Sequence, residues 1–332
     1  MRKLMWVIAL AAGAWCGWWF VASTGLQSSV STWLDARAAE GWQAEVSDIE
    51  GGGFPLTLRA GLTDLALADP RAGVAITTDR LDISAAAWWP GNVEVTLDEN
   101  PILLASPLGR NLLTMQNGVM ALNLHPGPAL ELSALGWTSE DWSLAGQNGV
   151  ISQASDLTLT MTQTSGATYD LVASANTFAP GDTTRRALRL PESFPSAFDS
   201  LQMQATVTFD TEWDRRALDR RRPQPRQIDL HLAEARWGDL HLNLAADLSV
   251  DENGIADGEV ALQAQNWRAI LDLAEASGRL PSGLRRQAEG ILRALARASG
   301  NPDALDVTLN VNQGMIALGF IPLVPAPRFI LR

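Results

Sequence analysis

The sequence predicts a mainly β, α+β fold. An N-terminal transmembrane helix is followed by a long antiparallel curled sheet, or a β-sandwich or roll, with one or two C-terminal helices packed on it. Three observations carry this. Leu4 to Ala22 is a run of 19 uncharged residues, long enough to cross a hydrocarbon core. From about Ala44 the apolar residues recur with period 2, the period of strands with one dry and one wet face. Helical spacing returns only late, near residues 266–299.

The apolar run comes first in the chain. Arg2 and Lys3 precede it and no basic residue follows until Arg37. The positive-inside rule then places the N-terminus in the cytoplasm and the bulk of the chain beyond the membrane. Trp18 and Trp19 fall near the outer end of the run, where indole rings favour the interface. A cleavable signal peptide has a shorter apolar core, and Val21-Ala22-Ser23 is a weak cleavage match. The segment therefore reads as an uncleaved anchor over residues 1–25, with a cleaved signal as the other reading. Cys16 reads as a small apolar residue within the span. Beyond it, Leu26, Val30, Trp33, Leu34 and Arg37 fall on helical spacing, which predicts a short amphipathic helix over Gln27–Ala39 that packs on the exported domain.

Strands follow. Leu157, Leu159 and Met161 alternate with polar residues, as do Leu201, Met203, Ala205, Val207 and Phe209. The same holds for Ile228, Leu230 and Leu232, for Leu240, Leu242, Leu244 and Leu248, and for Leu305, Val307, Leu309 and Val311. Turn signals recur at Gly91-Asn92, Asn117-Gly118, Asn148-Gly149 and Asn253-Gly254. Strand-plus-turn spacing predicts roughly a dozen strands. Ala179–Phe198, with three prolines, reads as a boundary or long loop. It separates a first half, 26–190, from a second, 191–332, both expected to share one continuous sheet. Asp210–Arg226 reads as a solvated excursion of six arginines and four acids. Asn266 is expected to cap a helix carrying Trp267, Ile270 and Leu271 that stops at Gly278, and Ser282 a second one that ends before Gly300 and Pro302. Trp88 and Trp89 are expected to pack in the interior, with an exposed docking role as the other reading.

Composition excludes several functions. The chain of 332 residues carries a net charge of −12 and a single lysine, Lys3, whereas neutralising nucleic-acid phosphates needs a basic surface. From Ser23 to Pro180 there are 5 basic and 17 acidic residues, and from Gly181 to Arg332 there are 18 and 20, so the acid is concentrated in the first half. One cysteine rules out an internal disulfide framework and a multi-cysteine metal site. The histidines His125, His231 and His241 lack the spacing of a helical zinc site. No serine sits in a nucleophile elbow, and Gly51-Gly52-Gly53 lacks the spacing of a dinucleotide loop. No catalytic, cofactor-binding or metal-ligating residue is singled out, no cofactor is expected, and the chain is expected not to be an enzyme.

What remains is apolar strand surface with little helix to cover it, and a sheet must bury such a face against something. Beside a bilayer, acyl chains are the available apolar ligand. The candidate apolar groove comprises Leu230, Leu232, Leu242, Leu244, Val260 and Leu262, although the same residues would line a closed core. The expected partners are the inner membrane through residues 4–22, then phospholipid or acyl chains, or another envelope protein held at sheet edges or Trp-rich turns.

Several local signatures add to this reading. They are Gly53-Phe54-Pro55-Leu56 with Leu58, Trp237-Gly238-Asp239-Leu240, and Asn253-Gly254 with Gly258 and Val260. Others are Asn266-Trp267 opening a helix that ends in Gly278-Arg279-Leu280, and Asn312-Gln313-Gly314 with Leu318-Gly319 and Pro322-Leu323. In this order they resemble a family of Gram-negative envelope proteins, the domain-of-unknown-function family numbered twenty-one twenty-five, over about Leu26 to Leu331. A weaker similarity, in pattern only, is to AsmA-like envelope proteins. The first resemblance implies an envelope location and assigns no residue a role. The second implies a β-rich membrane-anchored protein that handles phospholipid or assists outer-membrane assembly, and gives no site.

Overall fold

A computed structural model describes residues 2–107, 109–191, 194–219, 222–278, 280–298 and 300–331. Arg220, Arg221 and Arg279, and the side chain of Ser282 with its expected capping role, lie outside the described residues. Helix α1 runs unbroken from Arg2 to Ala39. It is long and apolar enough to cross a membrane by length and composition. The expected separate helix over Gln27–Ala39 is therefore the last third of one 38-residue rod, since no glycine or proline between Gln27 and Ala39 interrupts the spacing.

Eighteen strands follow among the described residues, more than the dozen expected. The excess comes from short strands over residues 43–52 and 102–124 that carry too few residues to show alternation. Every described pairing is antiparallel. The chain divides into two compact units, residues 1–126 with 137–147 and residues 127–136 with 148–332.

The first unit holds α1 and nine strands, of which the last begins in the second unit's segment. They are β1 (Gln43–Glu45), β2 (Asp48–Gly52), β3 (Thr57–Asp69), β4 (Val74–Ala86), β5 (Trp89–Leu97), β6 (Ile102–Ser106), β7 (Gly109–Met115), β8 (Val119–Leu124) and β9 (Leu132–Gly146). The long pair β3–β4 is its spine, in register from Thr57↔Ala86 to Asp69↔Val74. Leu34 of α1 is buried with Ala60, Leu62 and Leu65 of β3, and Leu26 and Val30 pack against them. The helical spacing read from Leu26, Val30 and Leu34 is thus the stripe that lays α1 on the sheet.

The second unit is an up-and-down meander in which each strand pairs with the next: β10 (Gly149–Ser165), β11 (Thr168–Pro180), β12 (Ser200–Phe209), β13 (Pro225–Trp237), β14 (Leu240–Val250), β15 (Ala256–Gln265), β16 (Ala304–Asn312), β17 (Met315–Leu318) and β18 (Ile321–Pro325). Ala179–Phe198 lies inside this unit and contains helix α2 (Asp182–Leu188), tied back by Thr184 Oγ1 donating to the Ile151 carbonyl at 2.7 Å. Asp210–Arg226 carries the single turn α3 (Arg216–Asp219). Helices α4 (Arg268–Ala276) and α5 (Ser282–Ala298) interrupt the meander between β15 and β16.

Turn chemistry was legible at Asn253-Gly254, which joins the paired strands β14 and β15. Asn117-Gly118 turns the chain between β7 and β8, but β7 pairs with β6 and β9 and β8 pairs with β5, so the hairpin expected there does not form. At Gly91-Asn92 turn chemistry was not legible, because those residues lie within β5. The β4–β5 turn is Ala87-Trp88, and Gly91 is glycine because the Trp89 ring lies over it, 2.4 Å from where a Cβ would stand. Asn266 takes a left-handed φ of 54°. Its backbone carbonyl, not its side chain, accepts the Ala269 N–H at 2.9 Å, and no side chain caps α4. Trp267 behind it is fully buried, its indole donating to the Pro302 carbonyl at 3.2 Å.

Candidate functional site

The second unit carries an apolar face that register assembles into two rows. One runs Met161, Leu171, Ala205, Leu230, Ala246, Val260 across β10 to β15. The other runs Leu159, Ala173, Met203, Ala233, Leu244, Leu262. Six strands at about 4.8 Å spacing make each row about 24 Å long. Apart from buried Ala205, every member of the two rows is half-buried.

The two ends of this face are closed by aromatic packing. At one end Tyr169 is fully buried, edge-on to Phe209, which is edge-on to Trp213. The Tyr169 hydroxyl accepts the Trp213 backbone N–H at 3.2 Å, and burial pushes the phenol pKa up. At the other end Phe198 stacks on Trp237 at 4.4 Å, with Phe194 edge-on to the same indole. Toward β15 and β16 the face is covered twice. Trp267, Leu271 and Ala296 of the α4–α5 region bury Ala264, Leu305 and Val307, with Leu242 and Leu262 packed beside them. The C-terminal Ala326 and Phe329 pack with Leu248, Ala256, Val260 and Val311. The rows over β10 to β14 lie between these covers.

The six groove residues fall as follows. Leu230, Leu242, Leu244, Val260 and Leu262 share one phase: Leu244 faces Leu262, Leu230 faces Ala246, and Val260 faces Ala246 and Leu309. Leu232 stands opposite Gln204, which is exposed, because a bulge intervenes between the pairs Ala205↔Leu230 and Gln204↔Leu232. Residues missed by the sequence reading include Leu171 and Ala173, whose strand reads Thr-Tyr-Asp-Leu-Val-Ala-Ser with only weak alternation.

The first unit presents a second apolar feature, where α1 meets two hairpin tips. The indole N–H of Trp15 donates to the Pro55 carbonyl at 3.0 Å, that of Trp18 to the Ala87 carbonyl at 2.9 Å, and that of Trp19 to the Thr57 carbonyl at 2.7 Å. Phe54 meets the Trp19 ring edge-on at 5.2 Å. The tips are also bonded to each other, since the Ala87 N–H donates to the Leu56 carbonyl at 2.9 Å. Phe54, Leu56 and Trp88 remain 56–65% exposed. The interior packing expected for Trp88 and Trp89 holds only in part, for Trp89 is half-buried and Trp88 projects from the turn.

Polar groups gather elsewhere. His231 hydrogen-bonds Thr206 Oγ1 at 2.9 Å, while His241 sits opposite Arg236, 3.7 Å from Glu234. Five residues of strand, about 17 Å, separate His231 from Arg236, so the two histidines do not meet. Among the described residues no three His, Cys, Asp or Glu side chains cluster to hold a metal ion.

No curated protein and no solved structure matches this chain. A family profile described as uncharacterized protein conserved in bacteria, DUF2125, matches residues 19–327. That span takes in the C-terminal half of α1, both hairpin tips and the whole meander, and the chain belongs to this bacterial family.

Proposed function

We propose that this is a non-enzymatic, membrane-anchored envelope protein that binds acyl chains on the apolar face of its second unit. The observation that carries the reading is the pair of half-buried apolar rows across β10 to β14, left between aromatic plugs and helices that cover the rest of the same face. Burying such surface yields roughly 25 cal/mol per Å², and an extended acyl chain matches the rows in length and chemistry. Arg2 and Lys3 before the span favour an inner-membrane, single-pass topology with both units in the periplasm.

The test is photocrosslinking in native membranes with a phospholipid carrying a photoactivatable acyl chain, followed by peptide mapping. The expected result is label on peptides containing Leu171, Met203, Leu230 and Leu244, lost in Met203→Glu and Leu230→Glu. Label confined to residues of α1 overturns the reading.

A second reading, an assembly factor that holds another envelope protein, is favoured by one observation. The β17–β18 hairpin leaves Phe320 fully exposed, with Ile321, Leu323 and Val324 more than half exposed. A crosslinker at position 320 should then trap one repeatable partner, and absence of any adduct removes this reading.

A further inference from the structure

We infer that the two hairpin tips of the first unit, Gly53–Thr57 and Ala87-Trp88, insert into the outer leaflet of the bilayer beside α1. The inference rests on the anchor reading of α1 and adds to it a second, loop-borne contact with lipid.

The depth follows from helix geometry. Trp15 lies 12 residues after Lys3, about 18 Å along an α-helix at 1.5 Å per residue. A hydrocarbon core is about 30 Å thick. With Lys3 held at the cytoplasmic boundary, Trp15 is still inside the apolar layer, and so is the Pro55 carbonyl bonded to it. Snorkelling of Lys3 shifts this by a few ångströms. The Phe54-Pro55-Leu56 tip then reaches about 5–10 Å below the outer boundary, the depth at which interfacial segments reside.

Chemistry agrees with that depth in two independent ways. First, residues 51–58 and 83–93 carry no charge, and their tips expose Phe54, Leu56 and Trp88. The opposite end of the same β3–β4 pair is the charged turn Asp69-Pro70-Arg71. Second, five carbonyls of the two tips are bonded internally. The Gly53 carbonyl accepts from the Thr57 N–H and hydroxyl, that of Leu56 from Ala87 N–H, and those of Pro55, Thr57 and Ala87 from three indoles of α1. An unbonded backbone polar group costs several kcal/mol at membrane depth, so each of these bonds lowers the cost of insertion. The same bonds give partners to three indole donors that would otherwise face lipid. Loops bound for water have no need of such partners.

The test uses the full chain with Cys16→Ser, reconstituted in bilayers of zwitterionic phosphatidylcholine. Single spin labels are placed through Phe54→Cys, Leu56→Cys and Trp88→Cys, with Leu10→Cys on the span and Ala72→Cys on the far turn as references. Collisional accessibility to oxygen and to a neutral nickel chelate is measured at each. Insertion predicts that oxygen dominates at 54, 56, 88 and 10, and that nickel dominates at 72. The three tip labels are on exposed side chains, and circular dichroism verifies that each variant is folded. Tip labels as nickel-accessible as position 72, with position 10 in lipid, overturn the insertion while leaving the anchor standing. Position 10 in water overturns both. Because the tips are uncharged, the pattern should survive high salt, and its loss there would assign the contact to headgroup charge and overturn insertion.

Discussion

The indole Nε1 of Trp18 and the carbonyl oxygen of Ala87 lie 2.9 Å apart, joining residues 69 positions distant in sequence. Together with Trp15–Pro55 and Trp19–Thr57, this bond fixes the turn after β4 to the face of α1. Trp19→Phe keeps the ring against Phe54 and removes the donor. It should cost about 0.5–1.5 kcal/mol, the net worth of one hydrogen bond. Thermal unfolding in nanodiscs measures it, with Trp6→Phe, in an exposed part of α1, as the neutral comparison.

The triple glycine at the end of β2 should respond unequally. Gly53 has φ of +97°, and a Cβ there would meet the Thr57 carbonyl at 2.6 Å. Gly52 has open space around its Cβ position. Gly53→Ala should destabilise by more than about 1 kcal/mol, while Gly52→Ala stays within about 0.5 kcal/mol. Equal melting temperatures for the two variants would contradict this geometry.

Trp267 anchors the helical cover of the second unit. It is fully buried, bonded to the Pro302 carbonyl, and beneath the Arg268 guanidinium at 4.6 Å. Trp267→Ala should cost about 3–5 kcal/mol. Limited proteolysis should then cut first within residues 268–298, because α4 and α5 lose the side chain that holds them to Ala264 and Leu305.

Acid should weaken the β3–β4 spine through Asp82. Partial burial alone would raise its pKa, but hydrogen bonds and charge from Arg80 and Arg59 outweigh it and hold the carboxyl below 3.8. A depressed folded value means that Asp82 contributes stability fully above the unfolded pKa and loses it as pH falls through the lower folded one. Asp82→Asn should therefore be less stable than the wild type near neutral pH and converge with it in strong acid. Denaturant melts at a series of pH values measure the convergence.

The apolar faces were legible because alternation is local: Leu240 through Leu248 and Leu305 through Val311 read as strands and are strands. The position of Leu232 was not legible. A bulge adds a residue to one strand without altering the alternation written in that strand, so Leu230 and Leu232 look equivalent until the pairing with Gln204 and Ala205 is known. The covers of this face were equally hidden, since Phe329 reaches Leu248 and Phe198 reaches Trp237 only through tertiary folding. On α1, the place of Trp18 and Trp19 near the end of the apolar run is plain in the sequence. Their acceptors could not be found that way, because any backbone carbonyl is the same acceptor.

Helix α1 passes from its apolar stretch to its seat on Leu62 and Leu65 with no break in 38 residues, a rod of about 57 Å. Such a rod is a lever arm. Any lean of its N-terminal part must lean β3 by the same angle, because Val30 and Leu34 grip the strand. Tilt at the apolar end is thereby carried into the first unit, where a jointed tether would absorb it.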